Sequence, residues 1–174
     1  MEHSAVILRD LEAPRRAMES KDRLTTQLRT LITEKPGSPA ERLDEMLELG
    51  CKIFEEEIGI VSKIRGDDYI VEHVYPPDGS IAQGKRYRLE ETFCAITFEA
   101  DRALGIADVR ASRWKTHPCT RTGLLSYVGV PIVVKGERYG TLNFSSPSAG
   151  KEEISSDDLD LITEMAGWSS ELLS

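Results

Sequence analysis

The sequence predicts an α+β domain: about six strands joined mostly by hairpins, with helices packed on the sheet. Three observations carry this. Residues 124–147, LLSYVGVPIVVKGERYGTLNFSSP, hold two apolar runs, Ser126–Val134 and Arg138–Ser145, around Lys135-Gly136-Glu137. That is the pattern of an antiparallel hairpin with a Gly-containing tight turn. A second pair of runs, Gly59–Ile64 and Tyr69–Val74, brackets the turn Arg65-Gly66-Asp67-Asp68. Toward both ends of the chain, apolar residues recur instead at helical spacing.

Residues 1–18 show weak periodicity and are expected to form a flexible or partly helical arm. Residues 19–174 then form a single domain. In residues 19–34, Leu24, Leu28, Leu31 and Ile32 sit on one helical face, and Lys35-Pro36-Gly37 stops the helix. Ser38 fits an N-cap, Pro39 the first helical position and Glu41 the third, completing a capping box. Leu43, Met46, Leu47, Gly50, Phe54 and Ile58 trace that second helix's apolar face. After the first hairpin, Pro76-Pro77-Asp78-Gly79 marks a loop. Lys85–Leu89 alternates as a short strand, Glu90–Ala100 reads as a short helix, and Leu104–Val109 as another strand. Ala111–Gly123 is irregular. In the second hairpin, Pro131 lacks a backbone donor, so its strand should have an edge or a bulge there. Ser148–Ser156 is a small polar loop. Ser155 or Ser156, with Asp157 and Asp158, caps a last helix whose stripe is Leu159, Ile162, Met165, Ala166, Ser169, Leu172 and Leu173.

A chain of 174 residues can bury a core without disulfide or metal staples. Its net charge of −8 argues against nucleic acid and anionic membranes as partners. No apolar stretch nears the roughly 20 residues that span a bilayer, and the first residues lack the pattern of a secretory signal. The expected location is the cytoplasm. The three cysteines, Cys51, Cys94 and Cys119, form no C-x-x-C pair, and His3, His73 and His117 are scattered. Neither a disulfide framework nor a bound metal or cofactor is expected.

The order of elements and several local sequences resemble a GAF domain. The matching segments are Leu49-Gly50, Gly59–Ile64, Tyr69-Ile70-Val71, Thr92-Phe93-Cys94, Ile106–Val109, Tyr127–Ile132 and Gly140–Pro147. The resemblance covers roughly residues 22–172 and is nearest to the GAF modules of bacterial sensor proteins. It implies a six-stranded antiparallel sheet with flanking helices (GAF/PAS-like) and a small-molecule pocket between the sheet and the middle segments. It also implies terminal helices that pair in a homodimer. Heptad-like residues Leu24, Leu28 and Leu31, or Ile162, Met165 and Leu172, would form that seam. A signalling partner such as a histidine kinase or nucleotide cyclase would receive the response.

On this resemblance the pocket is assigned to Phe93, Cys94, Ile96, Asp108, Trp114, His117, Cys119, Tyr127, Val130 and Asn143. A sensory module that binds a small molecule without chemistry is the primary expectation. The alternative is a thiol reductase like the free methionine sulfoxide reductases, with Cys94 and Cys119 as the redox pair. Arg113, Lys115, His117 and Arg121 make the second cysteine's loop basic, which favours a thiolate. Those enzymes carry acidic residues on the last hairpin strand, where this chain has Asn143 and Ser145. Bilin relatives usually follow their anchor cysteine with His, whereas Cys119 precedes Thr120. The Asn-Lys pattern of cyclic-nucleotide binders is absent at Asn143-Phe144. Asp108 and His117 have simpler readings as turn caps, and the cysteines as small buried hydrophobes.

Overall fold

The computed structural model describes residues 2–34, 36–149 and 153–174, with side chains from residue 14 onward. The first helix, α1, runs Glu2–Thr33, so the helix expected over 19–34 continues back through most of the stretch read as an arm. Met1, Lys35 of the expected helix stop, and residues 150–152 of the expected polar loop lie outside the described residues.

Helix α2 spans Pro39–Phe54 and carries the expected capping box between Ser38 and Glu41. It stops where Glu55 turns left-handed (φ 54°) and returns its N–H to the Cys51 carbonyl. Ile58 therefore opens the first strand instead of ending the helix. Strands β1 (Ile58–Arg65) and β2 (Asp68–Tyr75) form the first hairpin, and β3 (Arg86–Arg88) lies beyond β2. The helix expected over Glu90–Ala100 divides into a 3-10 turn, Leu89–Glu91, and α3, Cys94–Ala100. Thr92 separates them: it is extended, and both its N–H and its hydroxyl go to the Leu89 carbonyl. Strand β4 keeps only Leu104–Ile106 of its expected range, because Asp108 caps a 3-10 turn at Val109–Ala111. The irregular segment holds a further 3-10 turn, Pro118–Thr122.

The second hairpin pairs β5 (Ser126–Val134) with β6 (Glu137–Ser146). Lys135 and Gly136 both have positive φ, 53° and 80°, as a two-residue turn matched to strand twist requires. Strand β4 pairs with β5 only as far as Gly129, so Pro131 lies where β5 has lost that neighbour. The irregularity in register falls just after it, between Ile132 and Val133. Helix α4 (Ser156–Leu173) begins at Ser155, which forms a second capping box with Asp158.

All six strands form one antiparallel sheet in the order β3-β2-β1-β6-β5-β4. Period-two alternation gives it two different faces. One face, with Val61, Val128, Val130, Ile132, Leu142 and Phe144, packs against α2 and α4, and α1 packs on α2 in the same core. Gly50 on α2 lets the Phe144 ring press onto the helix: a Cβ there would sit 2.2 Å from the ring. The other face, with Ile60, Tyr69, Val71 and Tyr127, is covered by α3 and the connecting segments.

The residues named for a dimer seam are corrected by this packing. Leu28, Leu31, Ile162 and Met165 are buried in the chain's own helical core. Leu24 and Leu172 pack against the same cluster. The amphipathic stripes cover the sheet and each other, which is what an apolar helical face does when a sheet is at hand. Lys21 pairs with Asp158 and Arg29 with Glu164, tying α1 to α4.

Candidate functional site

The face of the sheet away from α1, α2 and α4 carries a cavity of about 350 Å³. That is within the range of small-molecule sites. Its floor is two adjacent rows of register partners across three strands. Ile58, Ser145 and Tyr127 form one row, and Ile60, Asn143 and Gly129 the next. The Tyr127 ring covers Gly129: a Cβ at 129 would fall 2.0 Å from the phenolic oxygen. Tyr69 and Tyr87 wall one side, and Thr92, Phe93 and Cys94, where α3 begins, stand opposite the sheet. Ser80 and Ile81, Thr122 and Leu124, and Pro147 complete the lining from three connecting segments.

A buried hydrogen-bond network underlies this floor. Tyr69 Oη donates to Asn143 Oδ1 at 3.1 Å, and Cys94 Sγ donates to the same oxygen at 3.4 Å. Tyr127 Oη donates to Cys94 Sγ at 3.5 Å and lies 2.8 Å from Thr97 Oγ1. Asn143 thus commits one end of its amide, and its Nδ2 has no hydrogen bond among the described residues. Ser145 Oγ is fully buried and likewise has no partner among them. A buried polar atom without a partner is uncommon and costs free energy. At a cavity wall such an atom is open to water or to a bound group.

The thiols do not have the environment of nucleophiles. Burial pushes Cys94 above the ordinary thiol value, and its bonds to neighbouring hydroxyls offset that only partly. Burial pushes Cys119 up to about 11 and Cys51 up to about 12. The basic loop around Cys119 therefore does not produce the expected thiolate. Arg113 of that loop stacks on the Trp114 ring at 4.4 Å. Burial also holds Tyr69 and Tyr127 well above the usual phenol value, so both remain protonated donors.

Of the residues assigned to the pocket, Phe93, Cys94, Tyr127 and Asn143 line the cavity. The other six do not. Val130 points to the opposite, helical face, because it is one residue out of phase with Tyr127. Cys119 is wholly buried in the apolar cluster behind the cavity, and Ile96 and Trp114 pack on that cluster's edge. Asp108 accepts from the Arg110 backbone and grips its guanidinium at 3.0 and 3.1 Å. Those bonds hold its carboxyl below the ordinary range. His117 caps the Pro118–Thr122 turn by accepting the Cys119 N–H at its Nδ1. For both, the simpler capping account is the structural one.

Ile58, Ile60, Tyr69 and Thr97 were absent from the sequence-based site, and Ser145 figured there only as a missing carboxylate. Alternation held the signal for the strand residues: once β1 pairs with β6, Ile60 faces Asn143 and Ile58 faces Ser145. Thr97 could be found only from the fold of α3 over β5. A larger hollow of about 990 Å³ lies between α1 and α2, but Arg23, Glu34, Glu45, Glu48 and Lys52 line it, as on a solvated surface. Among the described residues no cluster of three or more His, Cys, Asp or Glu could hold a metal ion. No described helix is long and apolar enough to cross a membrane.

A family model for the GAF domain matches residues 37–169, which take in α2, the whole sheet, the cavity and most of α4. The chain belongs to the GAF family. No curated protein matches it. Solved structures that resemble it include the GAF domain of an Acinetobacter phosphoenolpyruvate-protein phosphotransferase. That match has TM-score 0.68 and 10% identity, covering 88% of this chain and 92% of the other. A free methionine-R-sulfoxide reductase from Neisseria meningitidis, solved with its substrate, matches with TM-score 0.65 and 14% identity over 87% of each chain. The phycocyanobilin-bound GAF domain of a cyanobacterial phytochrome matches with TM-score 0.64 and 13% identity, over 88% of this chain and 93% of that one. At these identities the likeness is one of fold, and it spans signalling domains, a photoreceptor and an enzyme. The division of labour has to be argued from the site itself.

Proposed function

We propose that this GAF domain is a sensory module that binds a small molecule in the sheet-face cavity without transforming it. The observation that carries the reading is the cavity with the unpartnered Ser145 hydroxyl in its wall. The proposed setting is bacterial signal transduction in the cytoplasm, with the domain acting as a homodimer on a partner such as a histidine kinase or nucleotide cyclase. Strand β5 supports a route for the response, because it serves both faces. Tyr127 lines the cavity, while Val128 and Val130 lie in the core shared with α4. Ser170 of α4 also donates to the Val133 carbonyl at 2.6 Å. A ligand that favours one arrangement of β5 would bias α4, and through the Lys21–Asp158 pair α1, as a population shift.

The alternative, a thiol reductase using Cys94 and Cys119, has less support. A redox pair needs an accessible thiol of lowered pKa, whereas both thiols are buried, both are raised, and Cys119 is not in the cavity wall. The test is native mass spectrometry of the purified chain, paired with an assay of free methionine sulfoxide reduction. The sensory reading expects a retained or added small molecule on a dimer, and no turnover. Turnover that disappears in Cys94→Ser would replace it with the reductase.

A further inference from the structure

Among the described residues, no Asp, Glu, Lys, Arg or His lines the cavity. In a chain with 30% charged residues, that is a property of the site rather than of the composition. The surface is made of aliphatic side chains (Ile58, Ile60, Ile81 and Leu124), aromatic rings, and a short list of neutral polar groups. Lys85 lies 5.2 Å from the centre of the Tyr87 ring but does not line the cavity.

From this we infer that the ligand is a small, neutral, ring-containing compound with one hydrogen-bonding edge that meets Asn143 and Ser145. The inference rests on the cavity being a ligand site, as proposed above, and adds the chemical class. Burying a charged group without an opposite charge costs several kcal/mol or drives its neutralisation, and nothing in this lining offers that charge. Amino acids, simple carboxylates and nucleotides each carry ionised groups that would stand unpaired here. The size follows from volume: about 350 Å³ is at the lower end of small-molecule sites. Ring character follows from the Tyr69, Tyr87, Phe93 and Tyr127 walls, which favour stacked or edge-on rings.

The polar edge is placed by the strand. Asn143 and Ser145 are two residues apart on β6, so they project to the same face roughly 7 Å from each other. Ser145 Oγ lacks a partner, and Asn143 has one end of its amide uncommitted. An amide, hydroxyl or carbonyl on a ring could bond to either group. A purely apolar ligand would leave both groups unpaired, and a carboxylate would gain those two contacts while its charge stayed uncompensated.

Three probes of nearly equal size and different charge test this: benzamide (neutral), benzoate (anionic) and benzylamine (cationic at pH 7). Binding to the full chain is measured by ligand-observed NMR and isothermal titration. Benzamide is expected to bind at least 10-fold more tightly than either charged probe. Ser145→Ala should weaken benzamide by about 2- to 10-fold, the size of one neutral hydrogen bond. The same variant should melt no lower than the parent, since it removes an unpartnered hydroxyl. Benzoate or benzylamine binding as tightly as benzamide, with the response at Ser145, would overturn the neutral class and leave the sensory reading standing. Benzamide binding unchanged in Ser145→Ala would overturn the assigned edge. Failure of all three probes, together with no retained molecule in native mass spectrometry, would overturn the sensory reading as well.

Discussion

The two faces of this sheet are built from alternate residues of the same strands, yet they are finished differently. The helical face is filled: Val61, Val128, Ile132, Leu142 and Phe144 are at most 1% exposed, under α2 and α4. The loop face is also buried, but it keeps hydroxyls, a thiol and an amide among its apolar groups, and it retains a cavity. On one side, free energy comes from close packing and removal of apolar area from water. On the other, part of that gain is forgone to keep polar atoms arranged around an open volume. The comparison sets a close-packed face, where stability is lodged, against the face proposed to bind the ligand.

The largest expected effect is on the filled face. Phe144→Ala should lower stability by about 3–5 kcal/mol in denaturant unfolding. A loss below about 1 kcal/mol would mean that this face is not close-packed. Next comes Gly50→Ala, where helix propensity alone predicts a gain of up to about 1 kcal/mol. The Phe144 ring occupies the space of the new methyl, so a net loss of about 1–3 kcal/mol is expected instead. A stabilised Gly50→Ala would show that α2 can lift from β6 without penalty.

The loop face should respond more gently. Tyr127→Phe removes the hydroxyl between Thr97 and Cys94 and should cost about 1 kcal/mol, mostly through the groups it leaves unpaired. A further signature is in pH. Cys119 is raised in the fold to about 11, so in the unfolded chain it ionises first as pH rises. Its contribution is complete below the unfolded thiol value and is lost as pH climbs toward about 11. Stability should therefore fall over that alkaline window in the parent, and less steeply in Cys119→Ala. Iodoacetamide at pH 8 should label the unfolded chain far faster than the native one. Equal rates would contradict the buried, protonated thiols.

The sequence carried the architecture well because its signals are local. The Ser38–Glu41 capping box, the serine cap of the last helix, both hairpins and the Gly136 turn come from short-range chemistry that the fold retains. The site was less legible. The family resemblance assigns Asp108, Trp114, His117 and Cys119 to the pocket, whereas turn capping and cluster packing engage all four. Val130 was misassigned for want of strand phase, the property that separates it from Tyr127. Amphipathic stripes were legible as stripes, while what they would cover was not. Only the assembled sheet shows that Leu28 and Met165 meet their own core.

The central claim is that the loop face, not the helical face or the α1–α2 hollow, receives the ligand. An amide-detected NMR titration of the full chain with benzamide tests it most directly. The account predicts shifts concentrated at Asn143, including its side-chain amide, at Ser145, and in the segments around Ile81 and Leu124. Smaller changes should follow in β5 and α4. Shifts confined to Arg23, Thr30 and Glu48 in the α1–α2 hollow would contradict it.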